Sequence, residues 1–513
     1  MKLDPKPLVG LAGVLIATMT TQLNSLVSGA ALGDIQGGLG ISHDAGAWFS
    51  GLYITGEALG MSLAPWLAVT FTLRRFALFA IALCFASSLM ILSSSNLVVL
   101  FTFRLLQGLS GGLTIPLLMV TALRALPPPI RLYGLAAYAL TITFFPTLST
   151  AVAALWIETL DWRFVFLQVV PLCAASAVLV WYGVPQDQPQ YARIPKFDWR
   201  GALLILIGFT ALTTLLQQGD RLDWLNSRLI CVLILVSVVS IALLGVNEWF
   251  HELPLIKLQF LSRRNLAYAV ASLFLFVIVS LSSSQAPLTY LSQVQGFKPL
   301  QSAVVTGEIA ASQLILLPIM ALVLNIKWVD ARIVSFLGLL CIIAACIGDA
   351  FVTSAWNAQQ FFLWQGLQAV GLPMVAMPLL LLATNTVKKP EEGPFTSALV
   401  NGPRSIAEAT GVWLIQLIMR KRGGLHYDRL ADQLGARSQR LGQLHGLGGP
   451  PGGALSGGGI NLPVVSGALH TEAAVMTLAD TFLIFAGLAG VMILVLAVLA
   501  VRTYPPRIVF KQD

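Results

Sequence analysis

The feature that most constrains this chain is a succession of apolar stretches, each about as long as a bilayer is thick, separated by short polar connections. A helix needs about 20 apolar residues to cross the hydrocarbon core. Such stretches run near 8–31, 46–70, 76–94, 97–122, 134–156, 164–183, 201–218, 228–249, 265–286, 301–324, 333–351, 358–383, 395–419 and 477–501. Backbone groups in lipid must be satisfied internally, so only helices or closed barrels qualify. Barrel strands would be about 10 residues long and alternating in polarity, which these segments are not. The spacing predicts an all-α polytopic membrane protein with fourteen transmembrane helices. Composition agrees. Of 513 residues, 57% are hydrophobic and 11% charged, against roughly 25% charged in soluble domains. Such a chain cannot clothe a soluble fold in charge.

The formal charge of +8 does not point to nucleic acid, because the basic residues sit in short connections. Alternate connections hold Arg74 and Arg75, Arg124 and Arg131, Arg193, Lys196 and Arg200, Lys257, Arg263 and Arg264, Lys327 and Arg332, and Lys388 and Lys389. The opposite connections hold only Arg163, Arg221, Arg228 and Lys298, apart from the segment 420–476 with six basic residues. Short loops rich in Lys and Arg face the cytoplasm, whereas long loops translocate largely regardless of charge. The expected placement is a bacterial inner membrane with both termini cytoplasmic. The first apolar run is long, polar-studded and followed directly by further spans, so it does not read as a cleaved signal. Cys84, Cys173, Cys231, Cys341 and Cys346 fall within spans and are expected to be reduced packing residues, with no metal spacing.

Six spans precede and six follow a central pair, giving three expected units. Residues 1–183 form an N-terminal six-helix half. Residues 184–264 form a linker with two extra transmembrane helices. Residues 265–513 form a C-terminal half that includes a long periplasmic loop, 420–476. Thr55-Gly56-Glu57 in the second span recurs as Thr306-Gly307-Glu308 in the tenth, and Gln107-Gly108-Leu109 in the fourth as Gln365-Gly366-Leu367 in the twelfth. The offsets of 251 and 258 residues agree with duplication of a six-helix unit, a common origin of transporter folds. Within 420–476, GLGGPPGGALSGGG has a flexible-loop composition. The stretch 425–444 has helical spacing and reads either as a solvated connector or as a docking surface.

Ionisable residues inside membrane spans mark functional positions by default. Glu57 lies mid-span, and Glu308 is its counterpart in the second half. Burial penalises the charged form of a carboxyl, which suits binding and release of a proton. The plainer alternative is that both only hydrogen-bond within polar crevices. Arg104 needs an acceptor or an anion or, alternatively, backbone carbonyls. Arg404 and Glu408 are four apart, so they share a helix face and either neutralise each other or form a proton site. The first span places Thr18, Thr21, Gln22, Ser25 and Ser28 on one face, with Asn24 beside them. Such a stripe should face a cavity or protein rather than lipid. Gln365 is a further cavity-lining candidate. Trp66, Trp364 and Trp413 either line a pocket or act as packing anchors. Nothing reads as an enzyme. There is no Walker A loop or zinc-protease motif, no cofactor is implied, and His43, His251, His426, His445 and His470 are all expected in loops.

The helix count, the inserted pair and the segment around Arg104 resemble the 14-helix drug:proton antiporter family of the major facilitator superfamily, of EmrB/QacA type. The resemblance runs from about residue 11 to 500. In the first span, LNSLVSGAAL (23–32) is similar to the family's L-D-x-T-I-V-N-V-A-L segment. Arg104, Gln107 and Gly108 match the fourth-helix arginine motif, which the family associates with proton coupling. LSQVQGFKPLQSA (291–303) resembles the segment after helix 9, and Asn401, Arg404 and Gly411 match the N-x-x-R-x-x-G-x-x-x-G pattern of helix 13. The sequence also departs from the family. Asn24 stands at the family's aspartate, and Ser149, Thr150, Ala153 and Ala154 stand in the G-P-x-x-G-G motif. The loop after helix 2 keeps Arg74 and Arg75 but lacks its acidic residue, and Glu408 replaces a small residue.

The resemblance implies the major facilitator fold and a secondary active exporter of small amphipathic or drug-like molecules. It implies proton coupling by alternating access, with the coupling carboxylate moved to Glu57, Glu308 or Glu408. It further implies a periplasmic adaptor and an outer-membrane channel as partners. The altered helix 5 motif leaves open an uncoupled or differently coupled carrier of a metabolite or siderophore. A non-transporting membrane sensor or scaffold is the remaining alternative.

Overall fold

The computed structural model describes residues 5–94, 96–126, 131–387, 392–436 and 462–502. Long helices follow one another in the expected order. The N-terminal half comprises α1 (Pro5–Ala30), α2 (His43–Phe71), α3 (Leu73–Ser93), α4 (Leu97–Ala125), α5 (Arg131–Thr159) and α6 (Phe164–Gly183). The inserted pair is α7 (Trp199–Gln218) and α8 (Arg228–Phe250). The C-terminal half comprises α9 (Arg264–Ser284), α10 (Pro299–Leu324), α11 (Ala331–Asp349), α12 (Ala358–Thr384), α13 (Gly393–Ala436) and α14 (Leu462–Leu499). Thirteen described helices are long and apolar enough to cross a membrane. The other, α13, runs for 44 residues but is interrupted by charge, including Arg404 and Glu408. Side chains that accept from early backbone N–H groups fix several helix starts: Ser42 for α2, Asn96 for α4, Asp198 for α7, Asp330 for α11 and Asn357 for α12.

Three expectations are corrected here. The segment 420–476 is not simply a loop, since α13 continues to Ala436 and α14 begins at Leu462. Its charged residues occupy helix faces beyond the apolar stretch, so a hydropathy reading ends both spans too early. The Gly/Pro-rich stretch lies outside the described residues, as do His445, Lys2, Lys388, Lys389, Arg507 and Lys511. The histidines are not all in loops. His43 opens α2, while His426 lies in α13 and His470 in α14. Cys231 is exposed on α8 and packs in no core, whereas Cys84, Cys173 and Cys346 are buried.

Within the N-terminal half, α2 lies closely along α4, and α1 packs on α4, α5 and α6. Gly56 and Gly60 on α2 meet Gly108 and Gly112 on α4 so tightly that a Cβ on any of them would strike the backbone opposite. Small residues are what allow helix backbones to approach in this way. In the C-terminal half α11 packs on α12 and α14, and α9 on α13 and α14. Two seams join the halves: α5 against α10, and α2 against α13.

The inserted pair attaches at the second seam. Thr55 of α2 and Thr213 of α7 are joined hydroxyl to hydroxyl at 2.6 Å. In the connection after α7, Arg221 pairs with Asp44 of α2 and Asp220 with Arg420 of α13, each at 2.6 Å. Trp224 meets Trp413 of α13 edge-on at 5.5 Å. Between α2 and α3, Thr72 takes φ 79, a conformation in which only glycine is unstrained.

Candidate functional site

The sequence singles out residues on six helices, and the fold joins those of three, α1, α2 and α13, at the α2/α13 seam. Glu57 is buried mid-helix in α2. Its Oε1 accepts from Gln22 Nε2 of α1 at 2.8 Å. The same amide's Oε1 accepts from Arg404 Nη2 of α13 at 2.8 Å. Arg404 also donates through Nε to Glu408 Oε1 at 3.1 Å, through Nη1 to Thr141 Oγ1 at 3.0 Å, and through Nη2 to the Thr141 carbonyl at 2.7 Å. The result is a continuous chain, Glu57–Gln22–Arg404–Glu408, spanning α1, α2 and α13 and braced by α5.

Local sequence explains the convergence. Gln22 lies on the polar face of α1, and the glycine contacts of α2 and α4 set the depth of Glu57. Arg404 and Glu408 share one face of α13 at a separation of one turn. Arg404 is only 1% exposed, so its charge depends on these partners. Removing one partner of a buried pair strands the other, at about 3–5 kcal/mol. The Arg404–Glu408 pairing expected from spacing is therefore present, but as part of a larger assembly. The second oxygen of Glu57, Oε2, is buried with no partner, leaving one position on the carboxyl where a proton can reside.

Other elements hold α13 against the N-terminal half. Tyr138 of α5 donates to Asn401 Oδ1, Asn401 Nδ2 donates to the Ser397 carbonyl at 2.7 Å, and Ser397 Oγ donates to the Pro116 carbonyl of α4 at 3.2 Å. Asn24 is fully buried on α1, and both atoms of its amide lack a partner. Thr21 bonds Thr114 of α4 at 2.9 Å, and its carbonyl accepts from Tyr53. Ser25 is half-buried.

Arg104 and Gln107 form a separate cluster. Arg104 donates to Gln107 Oε1 at 2.6 Å, to Ser28 Oγ at 2.5 Å and to the Phe49 carbonyl at 3.4 Å. Its guanidinium lies over the rings of Phe49 and Tyr53, at 4.6 and 4.5 Å, a placement that attracts cations to aromatic faces. Gln107 Nε2 reaches Ser88 of α3 at 2.7 Å. All these acceptors are neutral, so the cluster clasps α1 to α4 together and makes no hydrogen bond to Glu57.

In the C-terminal half, Glu308 stays outside the seam network. Its Oε2 is buried without a partner, and its Oε1 lies 3.2 Å from where a Cβ on Gly366 would stand. Gln365 instead donates to Asp349 Oδ2 of α11 at 2.6 Å. Sequence reasoning missed Asp349. The available signal is that it is the only charged residue in the run 333–351. The tryptophans serve as packing. Trp66 meets Phe197 at 4.5 Å, Trp364 fills the space beside Gly348, and Trp413 meets Trp224. At the far end of α13, His426 Nε2 and Arg422 Nε each lie 2.7 Å from Asp480 Oδ2 of α14.

Comparison with known proteins gives the family and the fold. The family profile described as Major Facilitator Superfamily matches residues 14–412. The chain is 25% identical over 442 residues to "Probable multidrug resistance protein EmrY" of Escherichia coli K12, covering 84% of each protein. It is 26% identical over 447 residues to "Multidrug export protein EmrB" of the same organism, covering 84% of this chain and 85% of that one. Among solved structures, the human organic anion transporter MFSD10 superposes with a TM-score of 0.58 at 13% identity, covering 96% of this chain and all of that one. At that identity the likeness is one of fold.

Proposed function

The chain belongs to the Major Facilitator Superfamily and has its fold, and from that premise we propose a proton-coupled secondary exporter of small, amphipathic, drug-like molecules. The relatives named for multidrug export and resistance support the substrate class. The observation that carries the coupling is the chain from Glu57 through Gln22 to Arg404. It ties a buried carboxyl of one half directly to a helix of the other. In alternating access the halves rock about a central site. Movement of α13 away from α1 and α5 parts Arg404 from Gln22 and Thr141, and so changes what stabilises charge on Glu57. By linkage, protonating Glu57 favours the arrangement in which Arg404 has withdrawn.

The chain is a multi-pass membrane protein. The asymmetry of Lys and Arg supports an inner-membrane setting with cytoplasmic termini. A periplasmic adaptor and outer-membrane channel complete the proposed assembly, with the segment 420–476 as the contact. Crosslinking from that segment in the native host should capture the adaptor, and its absence from the products counts against a tripartite system.

The test of coupling uses purified protein in liposomes loaded with a pH-sensitive dye. Lipophilic cations and aromatic acids are added under an imposed proton gradient. The wild type should show compound-dependent proton flux. Glu57→Gln should abolish it while eluting as the folded protein does. Unchanged flux in that variant removes Glu57 from the mechanism, and compound movement without proton flux supports an uncoupled carrier.

A further inference from the structure

We propose that Asp349, together with Gln365, is a second proton-binding site, located in the C-terminal half and separate from the Glu57 network. The inference deepens the proton-coupled reading above and rests on it for its purpose, though not for its chemistry.

Asp349 ends α11 and is fully buried, as is Gln365 in the second turn of α12. A single hydrogen bond joins them, from Gln365 Nε2 to Asp349 Oδ2 at 2.6 Å. The remaining oxygen of each, Asp349 Oδ1 and Gln365 Oε1, is buried with no partner. Among the described residues, the salt bridges that form include none to Asp349. A buried carboxylate with one neutral donor and no counter-ion lacks what normally sustains its charge. Two unmet acceptors in one place call for a hydrogen, and a proton on the carboxyl supplies it.

The partner is suited to both states. A glutamine amide offers two N–H donors and one acceptor oxygen. With Asp349 charged, Gln365 donates as seen. With Asp349 protonated, a half-turn of the amide brings Oε1 to accept the carboxyl O–H. Among the described residues nothing else holds the Gln365 amide, so that turn breaks no other hydrogen bond. Gln22 is different: its Oε1 is held by Arg404, so its N–H is committed to Glu57. The proton comes from water and returns to it, and no other bond changes.

The surroundings leave the site to act alone. On α11 the nearby titratable group is Cys346, one turn earlier. Packed against α11, α12 carries no titratable side chain, and α14 brings His470, Glu472 and Asp480, of which Asp480 is already held by Arg422 and His426. Glu308 of α10 lies beside Gly366, and Tyr290, in the short helix Ala286–Gln293 that follows α9, donates to the carbonyls of Thr353 and Trp356.

The test is infrared difference spectroscopy of the whole protein in lipid vesicles, between acidic and alkaline buffer, in the carboxylic C=O stretching region. The wild type should lose protonated-carboxyl absorption on going alkaline. Asp349→Asn should remove one component, which Glu57→Gln leaves in place. A spectrum of folded Asp349→Asn that superimposes on the wild type overturns the proposal. Gln365→Leu keeps the carboxyl but deletes its partner, so it should shift the same component. An unshifted component there also overturns it. If the Glu57 component is missing while that of Asp349 persists, the coupling role of Glu57 falls and this site stands.

Discussion

The two halves carry the same pair of tripeptides on corresponding helices and use them differently. In α2 and α4, Gly56 and Gly108 bring two backbones into direct contact. In α10 and α12, no atom comes within 4 Å of a Cβ placed on Gly307, and one on Gly366 meets only the carboxylate of Glu308. The carboxyls diverge in step. Glu57 is wired through a fixed amide to an arginine of the other half, while Glu308 makes no such link. The glutamines diverge too. Gln107 braces a buried guanidinium, and Gln365, its counterpart, meets a buried acid. The same pattern of small and polar residues stands in both halves, and packing decides what each copy does.

The largest effect expected from breaking this contrast comes at the glycines. Gly112→Val sets a branched side chain against the α2 backbone. Overpacking costs about 1–3 kcal/mol and occasionally more, and backbone cannot yield as a side chain can. Little folded protein should survive detergent extraction and size-exclusion chromatography. Gly307→Val should behave as wild type, within about 0.5 kcal/mol. Equal damage from both would erase the distinction. Next comes Arg404→Leu, which strands Glu408 and frees Gln22. The expected loss is about 1–3 kcal/mol in thermal unfolding, since Glu408 keeps some access to solvent, and Glu57→Gln added to it should cost less than it does alone. Strict additivity would show that the two sites do not communicate.

A smaller effect, of opposite sign, belongs to the turns after these helices. The N-terminal half turns at Thr72 with φ 79, whereas the corresponding turn of the other half ends in the capping residue Asp330. Thr72→Gly removes the strain and a buried hydroxyl that lacks a partner. It should raise stability by about 1 kcal/mol, visible as a higher melting temperature. The smallest effect is expected at Arg221→Ala, which removes a largely exposed pair with Asp44, worth about 0–1 kcal/mol.

Much of the fold was legible because membrane spans are written in long apolar runs, and every expected span is met by a helix. What escaped did so for identifiable reasons. The charged ends of α13 and α14 look like loop because hydropathy averages over all faces of a helix, and the exposed face dominates. His426 looked solitary because Asp480 reaches it from another helix. Asp349 closes an apolar run, where an acid reads as a helix terminus rather than an interior group. Glu57, Arg404 and Glu408 were visible as charges out of place. Their union through Gln22 was not, since one sequence does not say which side chains converge.

The inserted pair gives the bundle a hinge side and a free side. Through Thr213, Arg221, Asp220 and Trp224 it grips α2 and α13 together near one end, while the α5/α10 seam has no such brace among the described residues. Rocking of the halves must break the α2/α13 brace or pivot about it, so at that end the α5/α10 seam is the freer of the two.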